Sequence, residues 1–193
     1  MSRFTQLALT VPVLCVVLVA AIVFQRSYVV VIDRSEISIS RTTGDREYAG
    51  EPFTGLAVSY HSNGILAKEE AFLNGRRHGY VKHWFESGAL GFASTYQAGR
   101  REGLATSWWG NGNKRSETLY VNDQISGISW RWYKTGEKFK RFNYLAGKPT
   151  GLQQAWRSNG KLFSNFEYKN GRVYGLKKAN VCFGLEDEEV LLN

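Results

Sequence analysis

Proline is scarce in this chain, at 3 of 193 residues, so extended proline-rich linkers are excluded. Cysteine is scarcer still. Cys15 sits inside an apolar run and Cys182 close to the C-terminus, so no disulfide framework can be assembled. Val13-Leu14 ahead of Cys15 lacks the small residue that lipidation of a cysteine requires. Cys182 reads as a small buried apolar residue, with metal capture or redox exchange as the alternative. The three histidines, His61, His78 and His83, have no metal-like spacing to each other or to cysteine. No phosphate loop, Gly-x-Ser-x-Gly elbow or Cys-x-x-Cys pair occurs. The expectation is therefore a non-enzymatic protein with no catalytic residue, no metal and no cofactor.

Long hydrophobic runs are also missing, with one exception. Residues 7–24, LALTVPVLCVVLVAAIVF, carry no charge over 18 residues and lie between Arg3 and Arg26. That is the lower edge of a membrane span. It is longer than the core of a cleavable signal, although Val19-Ala20-Ala21 offers a small-residue cleavage site. Two readings stand: a transmembrane anchor with the remainder outside the cytoplasm, or a signal peptide that releases a secreted or periplasmic chain.

What is abundant is glycine (20 residues) and aromatics (14%), a mixture too apolar for disorder and suited to strands and turns. The glycines recur at a fixed period. Gly55, Gly79, Gly103, Gly127, Gly151 and Gly175 are each 24 residues apart. Nine residues after them come Gly64, Gly88, Gly112, Gly136 and Gly160, and twenty after, Gly75, Gly99, Gly147 and Gly171, with Asp123 in the remaining copy. Counting offsets from the first glycine, offset five holds Tyr60, Trp84, Trp108, Trp132 and Trp156. Offset seventeen holds Phe72, Tyr96, Tyr120, Tyr144 and Tyr168.

Each unit reads as strand, turn, strand, turn. Asn63-Gly64, Asn111-Gly112 and Asn159-Gly160 predict two-residue type I′ hairpins, and a strand is expected to begin just after the first glycine. Short connections predict adjacent antiparallel strands, each about 20 Å long. The expected fold is all-β: an elongated antiparallel meander of five 24-residue hairpin repeats over residues 55–178. Residues 1–6 form a cytoplasmic n-region, 7–24 the transmembrane or signal helix, 25–54 a linker with capping strands, and 179–193 a C-terminal cap and acidic tail. Alternation places Leu56/Tyr60, Leu104/Trp108, Ile128/Trp132 and Leu152/Trp156 on one face, expected to be the packed one. The opposite face holds Phe85, Trp109 and Tyr133 and is expected to be an exposed platform.

The pattern resembles variant MORN repeats, the class also called YwqK-like antitoxin repeats. The residues that carry the resemblance are Tyr-His-Ser-Asn-Gly (60–64), Trp-Phe-Glu-Ser-Gly (84–88), Trp-Tyr-Lys-Thr-Gly (132–136) and Tyr-Lys-Asn-Gly-Arg (168–172), with Glu51-Pro52-Phe53-Thr54-Gly55 as an entry segment. The resemblance implies a stacked hairpin sheet that serves as a scaffold or interaction surface. It also implies an alternative role, an antitoxin-type protein that neutralises a partner toxin by direct binding.

Charge supplies the remaining expectation. Residues 51–185 hold 20 Lys or Arg against 9 Asp or Glu, a net +11, while the rest of the chain is net acidic. Arg76, Arg77, Arg100 and Arg101, with Lys114-Arg115 and Lys140-Arg141, predict a basic ridge along repeated turns. That ridge suits anionic lipid head groups or anionic surface polymers, or it simply discourages edge-to-edge pairing. The reading is an envelope-associated repeat scaffold. It binds a protein, glycan or anionic lipid partner through Phe85, Trp109, Tyr133 and these arginines, with self-association through the sheet as a further expectation. Nucleic acid is not expected as a partner, because export removes the array from it.

Overall fold

The computed structural model describes residues 29–176. The expected segment at 7–24, the n-region before it and the C-terminal cap with Cys182 lie outside the described residues. Among those residues no helix is long and apolar enough to cross a membrane.

The described chain is β-structure apart from one 3₁₀ turn, Arg34–Glu36. The strands are β1 (Val31–Asp33), β2 (Ser38–Ile39), β3 (Arg46–Tyr48), β4 (Glu51–Pro52), β5 (Gly55–Tyr60), β6 (Leu66–Leu73), β7 (Arg76–Trp84), β8 (Leu90–Gln97) and β9 (Arg100–Arg101). They continue with β10 (Gly103–Trp108), β11 (Lys114–Val121), β12 (Gln124–Trp132), β13 (Lys138–Leu145), β14 (Lys148–Pro149), β15 (Gly151–Trp156), β16 (Leu162–Lys169) and β17 (Arg172–Leu176). From β5 onward each long strand pairs antiparallel with the next, and β2, β3 and β4 make a separate small sheet. The meander is thus observed, with one correction to a purely antiparallel sheet. β1 lies along β5 in parallel, Val31 against Leu56 and Asp33 against Val58. It covers the edge that the first hairpin would otherwise leave open.

The turn chemistry differs from expectation. In Asn63-Gly64 only the glycine has positive φ (80°). The Gly64 N–H donates to the His61 carbonyl at 2.9 Å, and the His61 N–H to the Ile65 carbonyl at 2.8 Å. This is a three-residue loop, a type I turn closed by a left-handed glycine, and it puts a bulge between Ser59 and Tyr60. The two-residue I′ turns lie at the opposite ends of the strands. There Asn74-Gly75, Ala98-Gly99, Asn122-Asp123, Ala146-Gly147 and Asn170-Gly171 have both residues at positive φ. The asparagine of Asn-Gly has another purpose. Asn63 Oδ1 accepts from the Ile65 N–H while its Nδ2 donates to the Glu86 carbonyl one unit later, and Asn111 Nδ2 reaches the Lys134 carbonyl in the same way.

The first glycine starts a strand in three units, at Gly55, Gly103 and Gly151, but not in the other two. Gly79 and Gly127 stand inside β7 and β12 with φ of 94° and 80°. The pairing register slips there, between Glu70 and Phe72 and between Thr118 and Tyr120. Each is a bulge that bends the strand, a conformation a side chain resists.

The packed face is the reverse of the one expected. A cross-strand row at offsets two and fifteen is buried: Ala57, Glu70, Val81, Ser94, Ala105, Thr118 and Gln153. Register places Ala57 opposite Glu70, Glu70 opposite Val81 and Val81 opposite Ser94. These residues are mostly small, so the backbone and flanking side chains close over them. The large residues at offsets one and five need a second layer to be buried, and none lies over them among the described residues. Tyr60, Leu104 and Ile128 stay 58%, 50% and 41% exposed. The apolar core is instead a cluster at the N-terminal end, where Ile32, Ile37, Phe53, Ala57 and Phe72 pack together.

Candidate functional site

Two seams tie successive units together. On the I′ side, the N–H groups of Gly75, Gly99, Asp123 and Gly147 donate to the carbonyls of Phe53, Arg77, Arg101 and Ile125, at 2.8, 2.8, 3.0 and 2.9 Å. On the other side the offset-six residue reaches the carbonyl at offset five of the following unit. His61 Nε2 lies 2.9 Å from the Trp84 carbonyl, Trp109 Nε1 donates to Trp132 at 3.2 Å, and the Tyr133 hydroxyl donates to Trp156 at 2.9 Å. Trp109 and Tyr133 are therefore struts between units, and neither is an open platform. The Arg115 guanidinium lies 4.7 Å from the Trp109 ring centre, and Tyr133 packs on Phe139 at 4.7 Å. Phe85 occupies the same position with no polar atom to donate; it is more exposed, with its ring against Gly91.

The arginines expected in one ridge fall into different environments. Arg76, Arg77, Arg100 and Arg101 follow I′ turns, but Lys114-Arg115 lie at the opposite ends of the strands and Lys140-Arg141 within β13. Arg76 pairs with Asp45 at 3.0 Å and Arg101 with Asp123 at 3.2 Å. Asp123 takes the left-handed position that glycine fills in the other copies. Its carboxylate accepts from the Arg101 backbone N–H and side chain, which hold it below the ordinary carboxylate range. The Arg101 guanidinium also lies 4.0 Å from the Tyr120 ring centre.

Arg77 belongs to a buried ionic cluster. The Glu70 side chain is fully enclosed and meets Arg34 at 3.0 Å, Lys68 at 3.0 Å and Arg77 at 2.8 Å. Arg34 is delivered by the 3₁₀ turn, whose start is fixed by a capping box between Asp33 and Glu36. Burial pushes the Glu70 carboxyl up, but the Lys68 hydrogen bond and the Arg77 and Lys68 charges outweigh it and hold the group below its usual range. His83, opposite Lys68 in the register, has its Nε2 buried with no partner among the described residues. Burial and the Lys68 charge depress its affinity for a proton. Among the described residues no group of three or more His, Cys, Asp or Glu side chains could hold a metal ion.

The aromatic and cationic residues that do come together lie on the open face. Trp130 stacks on Trp132 (6.0 Å between ring centres, 22° between planes) and on Trp156 (6.2 Å, 19°). Lys138 and Arg141 lie 5.5 and 5.8 Å from the Trp130 ring centre, and Lys114 lies 5.8 Å from that of Trp132. Strand alternation puts Leu104 and Ile128 on the same side, half-exposed. Trp108, Trp132 and Trp156, expected as packed repeat residues, stand on this face half-buried. Trp130 was outside the periodic aromatic column and its role was missed. Its cross-strand pairing with Arg141 was the missing signal, and that is visible only once the register is known.

The family model described as a MORN repeat variant matches residues 101–122, a stretch that takes in β10, the Asn-Gly turn and β11. No curated protein matches the chain. The match supports the MORN-repeat resemblance for that unit, and a repeat scaffold fits it.

Proposed function

We propose that this protein is a non-enzymatic repeat scaffold, held at a membrane through residues 7–24 with the array outside the cytoplasm. Its open face, centred on Trp130, Trp132 and Trp156, docks a protein partner bearing acidic side chains. The observation that carries this reading is the stack of three tryptophans ringed by Lys114, Lys138 and Arg141 and continued by exposed Leu104 and Ile128. Stacked aromatics with an apolar fringe and a cationic rim are the composition of an interaction hot spot. The rim selects a partner of opposite sign. Arg101, Trp109 and Tyr133 are assigned to holding units together, since each already has a partner in the following unit.

Site-specific photo-crosslinking in cells tests this. A photoreactive residue at Ile128 is expected to give one defined protein adduct, lost when Lys138 and Arg141 are both replaced by glutamate. The same probe at Val173, on the last described strand, is expected to give none. A lipid or glycan adduct from position 128 would replace the protein partner with that class. Absence of any adduct there would sink the docking face.

A further inference from the structure

A second site lies at the other end of the array, where the loop before β3 meets the first two I′ turns. A cavity of about 180 Å³ opens there, lined in part by Gly44, Asp45, Arg46, Gly75, Arg76 and Arg77. Its walls are fixed by backbone hydrogen bonds. The Arg46 N–H donates to the Gly75 carbonyl at 2.8 Å, the Phe53 N–H to the Arg46 carbonyl at 2.9 Å, and the Ser40 N–H to the Asp45 carbonyl at 2.9 Å. Gly75 makes the approach feasible. A methyl group on it would stand 2.7 Å from Asp45 Cβ and 3.0 Å from the Arg46 carbonyl oxygen.

Three arginines are among the residues that line this cavity, and the donors of their side chains are not used up. Arg46 donates through one terminal nitrogen to the Gly44 carbonyl at 3.0 Å, while its Nε is buried with no acceptor among the described residues. Arg76 gives its Nε to Asp45, and Arg77 gives Nε and one terminal nitrogen to Glu70. Each guanidinium carries five N–H donors, so donors remain on all three. Asp45 is the one carboxylate in the lining. Its bonds from Arg76 and Thr43 hold it ionised, so it neutralises one of the three cations and leaves the cavity with an excess of positive charge. Nearby, Glu70 is outnumbered by Arg34, Lys68 and Arg77.

We propose that Arg46, Arg76 and Arg77 form a binding site for the phosphate group of a phosphate monoester. A buried guanidinium donor without an acceptor calls for an oxyanion. Donors arriving from three side chains suit a group with three terminal oxygens better than a planar carboxylate with two. The site is independent of the tryptophan face and stands or falls without it.

Titration calorimetry of the full chain in neutral detergent micelles tests the site with two probes, inorganic phosphate and phosphatidic acid mixed into the micelles. Saturable binding of at least one is expected, weakened at least tenfold in Arg46→Gln. Arg172→Gln, which follows a later I′ turn as Arg76 follows the first, is expected to bind as the parent does. If Arg46→Gln loses its near-ultraviolet circular dichroism, Arg76→Gln gives the same reading, because the Arg76 side chain is 60% exposed and can be truncated without opening the core. Binding of inorganic phosphate identifies a soluble ligand, and binding of phosphatidic acid alone identifies a lipid head group; either supports the site. No saturable binding of either probe, or equal weakening in Arg172→Gln, overturns it.

Discussion

The Tyr133 hydroxyl donates to the Trp156 carbonyl oxygen at 2.9 Å across twenty-three residues of sequence. It is one of a row of side chains that each bind the main chain of the next unit. A partly buried hydrogen bond of this kind contributes about 1 kcal/mol net. Tyr133→Phe keeps the ring against Phe139 and removes only the donor, so it is expected to lower the unfolding free energy by about 1 kcal/mol in urea titrations. The crosslink from position 128 is expected to persist. A crosslink lost with stability unchanged would return Tyr133 to the partner surface.

Glu70 gathers three cations in a buried setting, and removing it strands them together. Breaking a buried ion pair from one side costs about 3–5 kcal/mol. Arg34, Lys68 and Arg77 keep 29%, 31% and 34% of their side chains in water, which favours the lower end. Glu70→Gln is expected to lower stability by about 3 kcal/mol. Glu117→Gln, which breaks the exposed Lys114–Glu117 pair, is expected to change it by less than about 1 kcal/mol. Comparable losses in the two variants would deny the cluster its structural role.

Glu70 and the half-buried His83 contribute to the pH dependence in separate windows. The Glu70 pKa is lowered on folding, so its contribution is present above the unfolded glutamate value of about 4.3 and lost as pH falls through the lower folded value. The His83 pKa is also lowered, but there the folded state disfavours the charged form. Its effect begins higher. Above the unfolded histidine value of about 6.5 stability is full, and below it the unfolded chain binds the proton more readily. Unfolding measured from pH 7.5 to 5.5 is expected to show a decline no steeper than about 1.4 kcal/mol per pH unit, absent in His83→Phe. Phenylalanine keeps the ring contact with Phe92 that His83 makes at 5.2 Å. A decline that survives His83→Phe would assign the titration to other groups.

Gly75 and Gly64 share a left-handed backbone, with φ of 75° and 80°, but not a neighbourhood. Alanine at Gly64 meets nothing within 4 Å and bears only the backbone penalty, about 1–2 kcal/mol. Alanine at Gly75 collides in addition with Asp45 and with the Arg46 backbone. Its loss in thermal or urea unfolding is expected to exceed that of Gly64→Ala by at least about 1 kcal/mol. Equal losses would mean that the loop before β3 does not rest on the first I′ turn.

These sites divide by how far their cause lies from them in sequence. The 24-residue glycine period and the neighbour-to-neighbour pairing are local and were legible. Asn63-Gly64 was misread because its asparagine is selected by the Glu86 carbonyl of the next unit, and the local dipeptide fits an I′ turn equally well. Alternation sorted Leu104 and Trp132 onto one face, but which face closes depends on the size of the opposing row, Ala57 to Gln153. The aromatic and cationic face needed the register that sets Arg141 against Trp130. The cavity at Arg46 lies outside the period altogether, so no repeat could announce it.

The placement of the array rests on residues 7–24, an uncharged stretch of 18 residues with Arg3 before it and Arg26 after it. Positive charge near both ends gives little orientation bias, so the proposed placement takes the default for a single N-terminal segment, in which the chain beyond residue 24 would be carried across. A reporter active only outside the cytoplasm, fused after Asn193, is expected to be active, with Met1 retained on the mature chain. A mature chain beginning near Ile22 would convert the anchored scaffold into a secreted or periplasmic binder, with the tryptophan face unchanged. A silent reporter would place the repeats in the cytoplasm and revive the toxin-neutralising alternative. In that case the cationic rim of Lys114, Lys138 and Arg141 would have to find its acidic partner there.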